Sequence, residues 1–125
     1  MSRSTSELWI EHLVSAVPQL KPLHDEHRAD YHEVLPHVFL GDVARYVTQE
    51  FRSEGDSDLR RTSRDAAVKV LRVLEEATAA GDPDVLELVS VSFLENINWE
   101  SAEGRSIHSA MGPELRKELS RREGP

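Results

Sequence analysis

Asp82-Pro83-Asp84-Val85-Leu86-Glu87-Leu88-Val89-Ser90-Val91-Ser92-Phe93-Leu94-Glu95-Asn96-Ile97 is the stretch on which the fold class turns. Its middle, Val89-Ser90-Val91-Ser92-Phe93, alternates apolar and polar residues like a half-buried strand. Its start reads as a helix. Asp82 is placed to N-cap, and Pro83 suits the first turn, where its missing N–H costs nothing. Val85, Leu86, Leu88, Val89, Val91, Phe93, Leu94 and Ile97 nearly surround a helical wheel, as in a buried helix. The stretch also exceeds the usual strand of about 5–6 residues, and a lone strand has no partner elsewhere in this chain. We therefore read a buried helix over Asp84 to Ile97, and with it an all-α fold.

The flanking sequence agrees. Upstream, Leu59, Ala66, Ala67, Val70, Leu71, Val73 and Leu74 form the core stripe of a helix from about Leu59 to Ala80, with Gly81 as a left-handed stop. Before it, Ser53-Glu54-Gly55-Asp56-Ser57-Asp58 reads as a loop. Leu35, Val38, Phe39, Val43, Tyr46, Val47 and Phe51 mark a long helix opened by Pro36. Gly41 interrupts that helix at a cost of about 1 kcal/mol, which a closely packed neighbour would explain. Leu23 to Glu33 is mixed and reads as a short exposed helix or a structured loop. The first helix starts after Ser4 or Ser6. Ser4 and Glu7 have capping-box spacing, and Leu8, Trp9, Leu13, Val14 and Val17 follow before Pro18 and Pro22 stop it.

Downstream, Asn98 to Arg105 reads as a polar loop and Ser106 to Met111 as a short turn. A last amphipathic helix runs from about Pro113 to Arg122 with Leu115 and Leu119 on its inner face. The expectation is a single domain, core about 7–122, with five to six helices. The two long helices and the 84–97 segment can stack like helical repeats or close into an irregular bundle.

At 125 residues the chain is one domain long and needs no staple to fold. It has no cysteine, which excludes disulfides, thiolate zinc sites and cysteine nucleophiles. Its formal net charge of -8 argues against nucleic acid and against anionic membranes as partners. No uncharged apolar leader stands near the start and no run approaches the ~20 apolar residues of a spanning helix. We expect a cytoplasmic protein.

Two constellations are candidates for function. His24, His27, His32 and His37 hold four of the six histidines. His24, His27, His32 and Glu33 are a candidate divalent-metal set, imidazole plus carboxylate, for an enzyme or sensor. His32 and His37 are five apart with Pro36 between them, so they fail zincin spacing. The plainer reading is a solvated acidic segment that contains histidines. His12 and His108 stand alone, and no Gly-x-Ser-x-Gly elbow supplies a nucleophile for them. Carboxylate neighbours such as Glu75 and Glu76 are too common here to mean catalysis.

The second constellation is acidic. Asp82, Asp84, Glu87, Glu95, Glu100 and Glu103 occupy a span to Gly104 that contains no lysine or arginine. With Asn96, Asn98 and Trp99 these acids form a candidate face for a basic protein, Trp99 being a plausible anchor. Alternatively, Trp99 closes the core and the acids solvate the surface. Apolar residues nearly all round 84–97 also allow a homodimer seam.

Leu35-Pro36-His37-Val38-Phe39-Leu40-Gly41-Asp42 and Ser92-Phe93-Leu94-Glu95-Asn96 resemble signatures of a family of small bacterial helical domains of unknown function. The resemblance covers roughly residues 7 to 122. It implies a small cytoplasmic all-helical domain associated with toxin–immunity neighbourhoods, and it brings no catalytic residues. Pro36, His37, Gly41, Asp42, Glu95 and Asn96 are the matching positions for any functional face. An acidic immunity protein facing a basic toxin fits the charge. The reading is a non-enzymatic protein-binding domain, immunity-like or adaptor, with metal binding at the His24–His37 segment as the alternative.

Overall fold

The long helix opened by Pro36 is the hub of the domain. In the computed structural model, which describes residues 4–52 and 58–123 and the side chains of 4–52 and 64–121, seven α-helices are present. They are α1 (Thr5–Ala16), α2 (Lys21–Tyr31), α3 (Pro36–Arg52), α4 (Asp58–Ala80), α5 (Pro83–Glu87), α6 (Ala102–Ala110) and α7 (Pro113–Glu123). Among the described residues there is no strand. α3 touches α1, α2, α4, α6 and the segment after α5. A linear repeat stack lets each element touch only its neighbours, so this is an irregular bundle around α3. The loop expected at Ser53 to Asp58 lies, up to Ser57, outside the described residues, as does the side chain of Leu59.

The core follows the apolar stripes with some shifts. Phe39, Leu40, Val43, Ala44 and Val47 of α3 meet Ala66, Ala67, Val70, Leu71 and Leu74 of α4, all buried. In α1 the buried residues are Ile10 and Leu13, while Leu8 is exposed. Ser4 caps α1, its Oγ accepting from the Glu7 N–H at 3.1 Å. Pro22 does not stop a helix but sits in the first turn of α2, after a 3-10 turn at Pro18–Leu20. α2 ends at His32, whose φ of 61° is left-handed. At Gly81 the φ of 79° confirms the glycine stop of α4. Asp82 caps α5, its Oδ1 accepting from the N–H groups of Asp84 and Val85 at 3.0 and 3.3 Å.

The deciding stretch is helical throughout, but not uniformly so. After α5 it widens into a π turn, Leu88–Phe93, and then tightens into a 3-10 turn, Leu94–Asn96. The Leu94 N–H donates to the carbonyl of Val89, five residues back. This register exposes Asp84, Glu87, Val91 and Glu95 and buries Ser90 and Ser92. The polar–apolar alternation is therefore inverted at its centre, with a valine outside and serines inside. Long-range partners make that possible. Ser90 Oγ donates to Glu118 Oε1 at 2.6 Å, and Ser92 Oγ pairs with His37 Nδ1 at 2.5 Å.

The region expected as polar loop and short turn is instead a loop and α6. Ser101 caps it, Oγ accepting from the Gly104 N–H at 3.0 Å, and Ile107 and Met111 enter the core. α7 is capped from a distance. The Glu75 carboxylate on α4 accepts from the N–H groups of Glu114 and Leu115 at 2.8 and 2.9 Å. Among the described residues no helix is long and apolar enough to cross a membrane.

Candidate functional site

α2 and α3 enclose a cleft of about 380 Å3. The α2 wall carries Leu23, Glu26, His27, Asp30 and Tyr31, and the α3 wall Asp42, Arg45, Tyr46 and Gln49. His27 is the anchor of this arrangement. It is only 3% exposed, and its ring packs edge-on to Phe39 and tilted against Tyr31, with centroids at 5.5 and 4.8 Å. Its Nε2 accepts from the Leu35 N–H at 2.9 Å. That bond fixes the tautomer, because a ring nitrogen that accepts from an N–H cannot itself carry a hydrogen. The neutral ring thus holds its proton on Nδ1, which is buried without a hydrogen-bond partner. Asp42 Oδ2 lies 3.9 Å from it, beyond hydrogen-bond range. The other oxygen of Asp42 is held by Arg45 one turn along. Burial, followed by the Glu50 charge, pushes the Tyr46 phenol above its ordinary pKa.

Of the sequence-nominated metal set, His24 and Glu33 line one cleft together with Glu7, Glu11 and Arg28, and His27 and His32 do not line it. His24 and His27 do share one side of α2, as their spacing implies, but what they face is Phe39. The lone pair of neutral His27 is occupied by the Leu35 N–H, so this ring has none to offer a cation. His32 caps the end of α2 and is exposed, as is Glu33. Among the described residues no group of three or more His, Asp or Glu side chains is arranged to hold a metal ion. Burial of His24, aided by the nearby Arg28 charge, lowers its pKa below 6.5.

The acidic candidates divide: Glu103 is partly buried and accepts from Arg52 Nε–H of α3 at 3.2 Å, while the other five are exposed. Asp84, Glu87 and Glu95 are exposed on the α5–π–3-10 rod, and Val91 stands among them. Asp82 is exposed at its capping position, and Glu100 lies in the following turn. Two of the amides are used locally. Asn96 Nδ2 donates to the Ser92 carbonyl at 2.7 Å, and Asn98 Oδ1 accepts from the Glu100 N–H at 3.1 Å. Trp99 is half-buried against the core, its Nε1–H bonded to the Leu94 carbonyl at 2.9 Å. It lines a cleft of about 430 Å3 with Arg105, His108 and Leu119. Among the residues lining that cleft the only formal charge is that of Arg105, and none is acidic.

The stretches 35–42 and 92–96 come together. His37 reaches Ser92, and Gly41 faces Asn96 and the Ser92 carbonyl. A Cβ on Gly41 would lie 3.6 Å from Asn96 Nδ2 and 3.9 Å from that carbonyl. These are ordinary contacts, so the neighbour that was to explain this glycine is present but leaves room for a methyl group. Pro36 opens α3, while Asp42 lines the α2–α3 cleft. The cleft itself was not legible in the sequence. Its signals, His27 on α2 and Asp42 on α3, carry no motif that joins them. No curated protein and no solved structure matches the chain. A family match runs over nearly the whole sequence: the chain belongs to the Domain of unknown function (DUF7674) family, matched over residues 10–124.

Proposed function

We propose that this domain binds another protein, in an immunity-like or adaptor role, by presenting an acidic ridge to a basic partner. One observation carries the reading. The exposed positions Asp84, Glu87, Val91 and Glu95 run along one edge of the rod, and no lysine or arginine occurs from residue 82 to 104. An apolar side chain flanked by acids suits a contact in which charge steers approach and the valine is covered on arrival. The net charge of -8 favours a basic partner. A second copy of this chain is disfavoured at this ridge, because a two-fold interface would set acid against acid. The likeness of residues 35–42 and 92–96 to domains from toxin–immunity neighbourhoods supports the immunity-like form.

The test is site-specific crosslinking in cells from a photoreactive residue at Val91, with exposed Gln19, in the 3-10 turn between α1 and α2, as the control. The protein captured is then purified and its affinity measured. The reading expects a basic partner, captured from Val91 only, whose affinity falls at least tenfold with Glu87→Lys and Glu95→Lys together. A partner indifferent to that reversal, or captured equally from Gln19, would refute it.

A further inference from the structure

We propose that α2 is an acid-released flap: protonation of His24 and His27 undocks it from α3 and uncovers Phe39. The proposal does not rest on the acidic ridge, which lies on other elements.

The attachment of α2 is titratable. α1 buries Ile10 and Leu13, but the one buried residue of α2 is His27. Leu23 and His24 beside it are half-buried. Both imidazoles lie edge-on to the Phe39 ring, with centroids at 5.5 Å, and Phe39 is fully buried. α2 thus covers this part of α3 with one leucine and two histidines. Neither ring belongs to a group able to hold a metal ion among the described residues, so the proton is the ligand that bears on them.

Docking requires both rings to be neutral. A protonated imidazole carries a hydrogen on each nitrogen. On His27 the added proton goes to Nε2, which sits 2.9 Å from the Leu35 nitrogen and accepts its hydrogen. Two donors would then point at each other, so either the ring or the 32–35 loop must move away. Asp42 Oδ2 lies 3.9 Å from the other nitrogen, and Arg45 already holds that carboxylate. Glu26 and Asp30 also favour a charge on this ring, but no carboxylate restores an acceptor to the Leu35 N–H. The phenols of Tyr31 and Tyr46 are uncharged in acid. On His24 the buried Nε2 has no partner, and a hydrogen there would point at no acceptor. Burial and then Arg28 lower its pKa below 6.5, against the pull of Asp25 and Glu11, and a charge on His27 lowers it further. Glu7 and Glu33, in the same cleft, pull as Glu11 does. The undocked chain therefore takes up the protons first, and docking weakens as pH falls through about 6.5. Once undocked, α2 unravels, because eleven residues are too few for a helix alone in water.

The test is amide hydrogen exchange of the isotopically labelled full chain by NMR, expressed as protection relative to the unstructured rate, at about pH 7.5 and about pH 5.5. A ring that must be neutral to dock changes the opening equilibrium up to about tenfold over that interval, and two rings up to about a hundredfold. Protection of the Leu35 amide and of the α2 amides 28–31 should fall more than tenfold. At the lower pH the Val43 and Leu74 amides should stay at least tenfold better protected than Leu35, because α2 leaves while the core stands. His24→Phe combined with His27→Gln, which gives the Leu35 N–H an acceptor that does not titrate, should lose less than threefold. Amide spectra at the higher pH show whether that variant folds. Should it not fold, the parent decides: its His27 ring resonances must titrate in step with the loss of Leu35 protection. The proposal is overturned if protection of Leu35 and of 28–31 falls tenfold or less, or if Val43 and Leu74 come within tenfold of Leu35. It is equally overturned if the folded double variant loses threefold or more, or if His27 stays neutral while Leu35 opens.

Discussion

The distant cap on α7 can be tested by removing Glu75. Its carboxylate receives two backbone N–H groups at the start of α7, Glu114 at 2.8 Å and Leu115 at 2.9 Å. Hydrogen bonds to charged groups contribute about 1.5–3 kcal/mol each, and the loss of an ordinary N-cap costs about 0.5–2 kcal/mol. Glu75 is half-buried, so water recovers part of the loss in the variant. Glu75→Ala should therefore destabilise by about 2–3 kcal/mol. At about 4 °C per kcal/mol for a domain of this size, Tm falls by about 10 °C. Glu75→Gln keeps an acceptor but loses the charge that suits a helix N-terminus, and should fall about half as far. Glu76→Ala, next door and exposed, should stay within about 0.5 kcal/mol. Paired urea and thermal melts measure all three. A Cβ on Gly112 would stand 2.5 Å from the Glu75 carboxyl carbon. Gly112→Ala should therefore displace the cap, and its cost should shrink in the Glu75→Ala background. Equal melts for Glu75→Ala and Glu76→Ala would refute the cap.

Three further outcomes follow from the same packing. Gly41→Ala should stabilise by about 0.5–1 kcal/mol in a urea melt, since the added methyl group meets only ordinary contacts and a helix favours alanine. Gly104→Ala should destabilise by at least about 2 kcal/mol and change Trp99 fluorescence, because the new Cβ would collide with the Asn98 carbonyl and stand 2.7 Å from the Trp99 Cα. Stability should fall as pH drops from neutrality through 6.5 and below, in part through His24. Its pKa is lowered in the fold by burial and then by Arg28, so the unfolded chain takes up the proton first and gains stability from it. His24→Phe should flatten that part of a Tm-against-pH profile.

The sequence displayed the helices better than their internal register. Caps and stops are local, so Ser4, Gly81 and Asp82 behave as their neighbours imply. Ser101 is equally local, but the polar residues around it mask the helix it starts. Burial of Ile10 and exposure of Leu8 show a different limit. Both positions are apolar and close in sequence, and only the placement of the other helices, α3, α4 and α5, against α1 decides between them. The π turn is less legible still. Nothing in Val89-Ser90-Val91-Ser92-Phe93 specifies the wider turn, because its buried serines are satisfied by His37 and Glu118, distant in the chain. Proximity of His24 and His27 was readable from their spacing of three. That they meet Phe39 rather than a cation was not, since it depends on how α3 crosses α2.

Those distant bonds also explain why the residues that look chemical are mostly engaged elsewhere. Glu75 holds α7, His37 holds Ser92, Glu118 receives Ser90 and pairs with Arg121, and the His27 lone pair holds the Leu35 N–H. Apart from the Glu118–Arg121 pair within α7, each of these bonds ties one element of the bundle to another, which is the service buried polar groups render to a small bundle. General acid–base work needs a titratable group that can exchange its proton with a substrate, and His27 can do so only by releasing the Leu35 N–H that ties α2 to the start of α3. Function is therefore better sought on the exposed surface. The ridge at Asp84, Glu87, Val91 and Glu95 sets an exposed valine among acids while the core takes serines in its place. Val91→Ser separates fold from function there. Surface exposure limits its effect on stability to about 0.5 kcal/mol, whereas a partner that covers the valine should dissociate faster from the variant. An unchanged dissociation rate, measured with the partner captured through Val91, would mean that the inverted pattern serves only to fit the serines to His37 and Glu118.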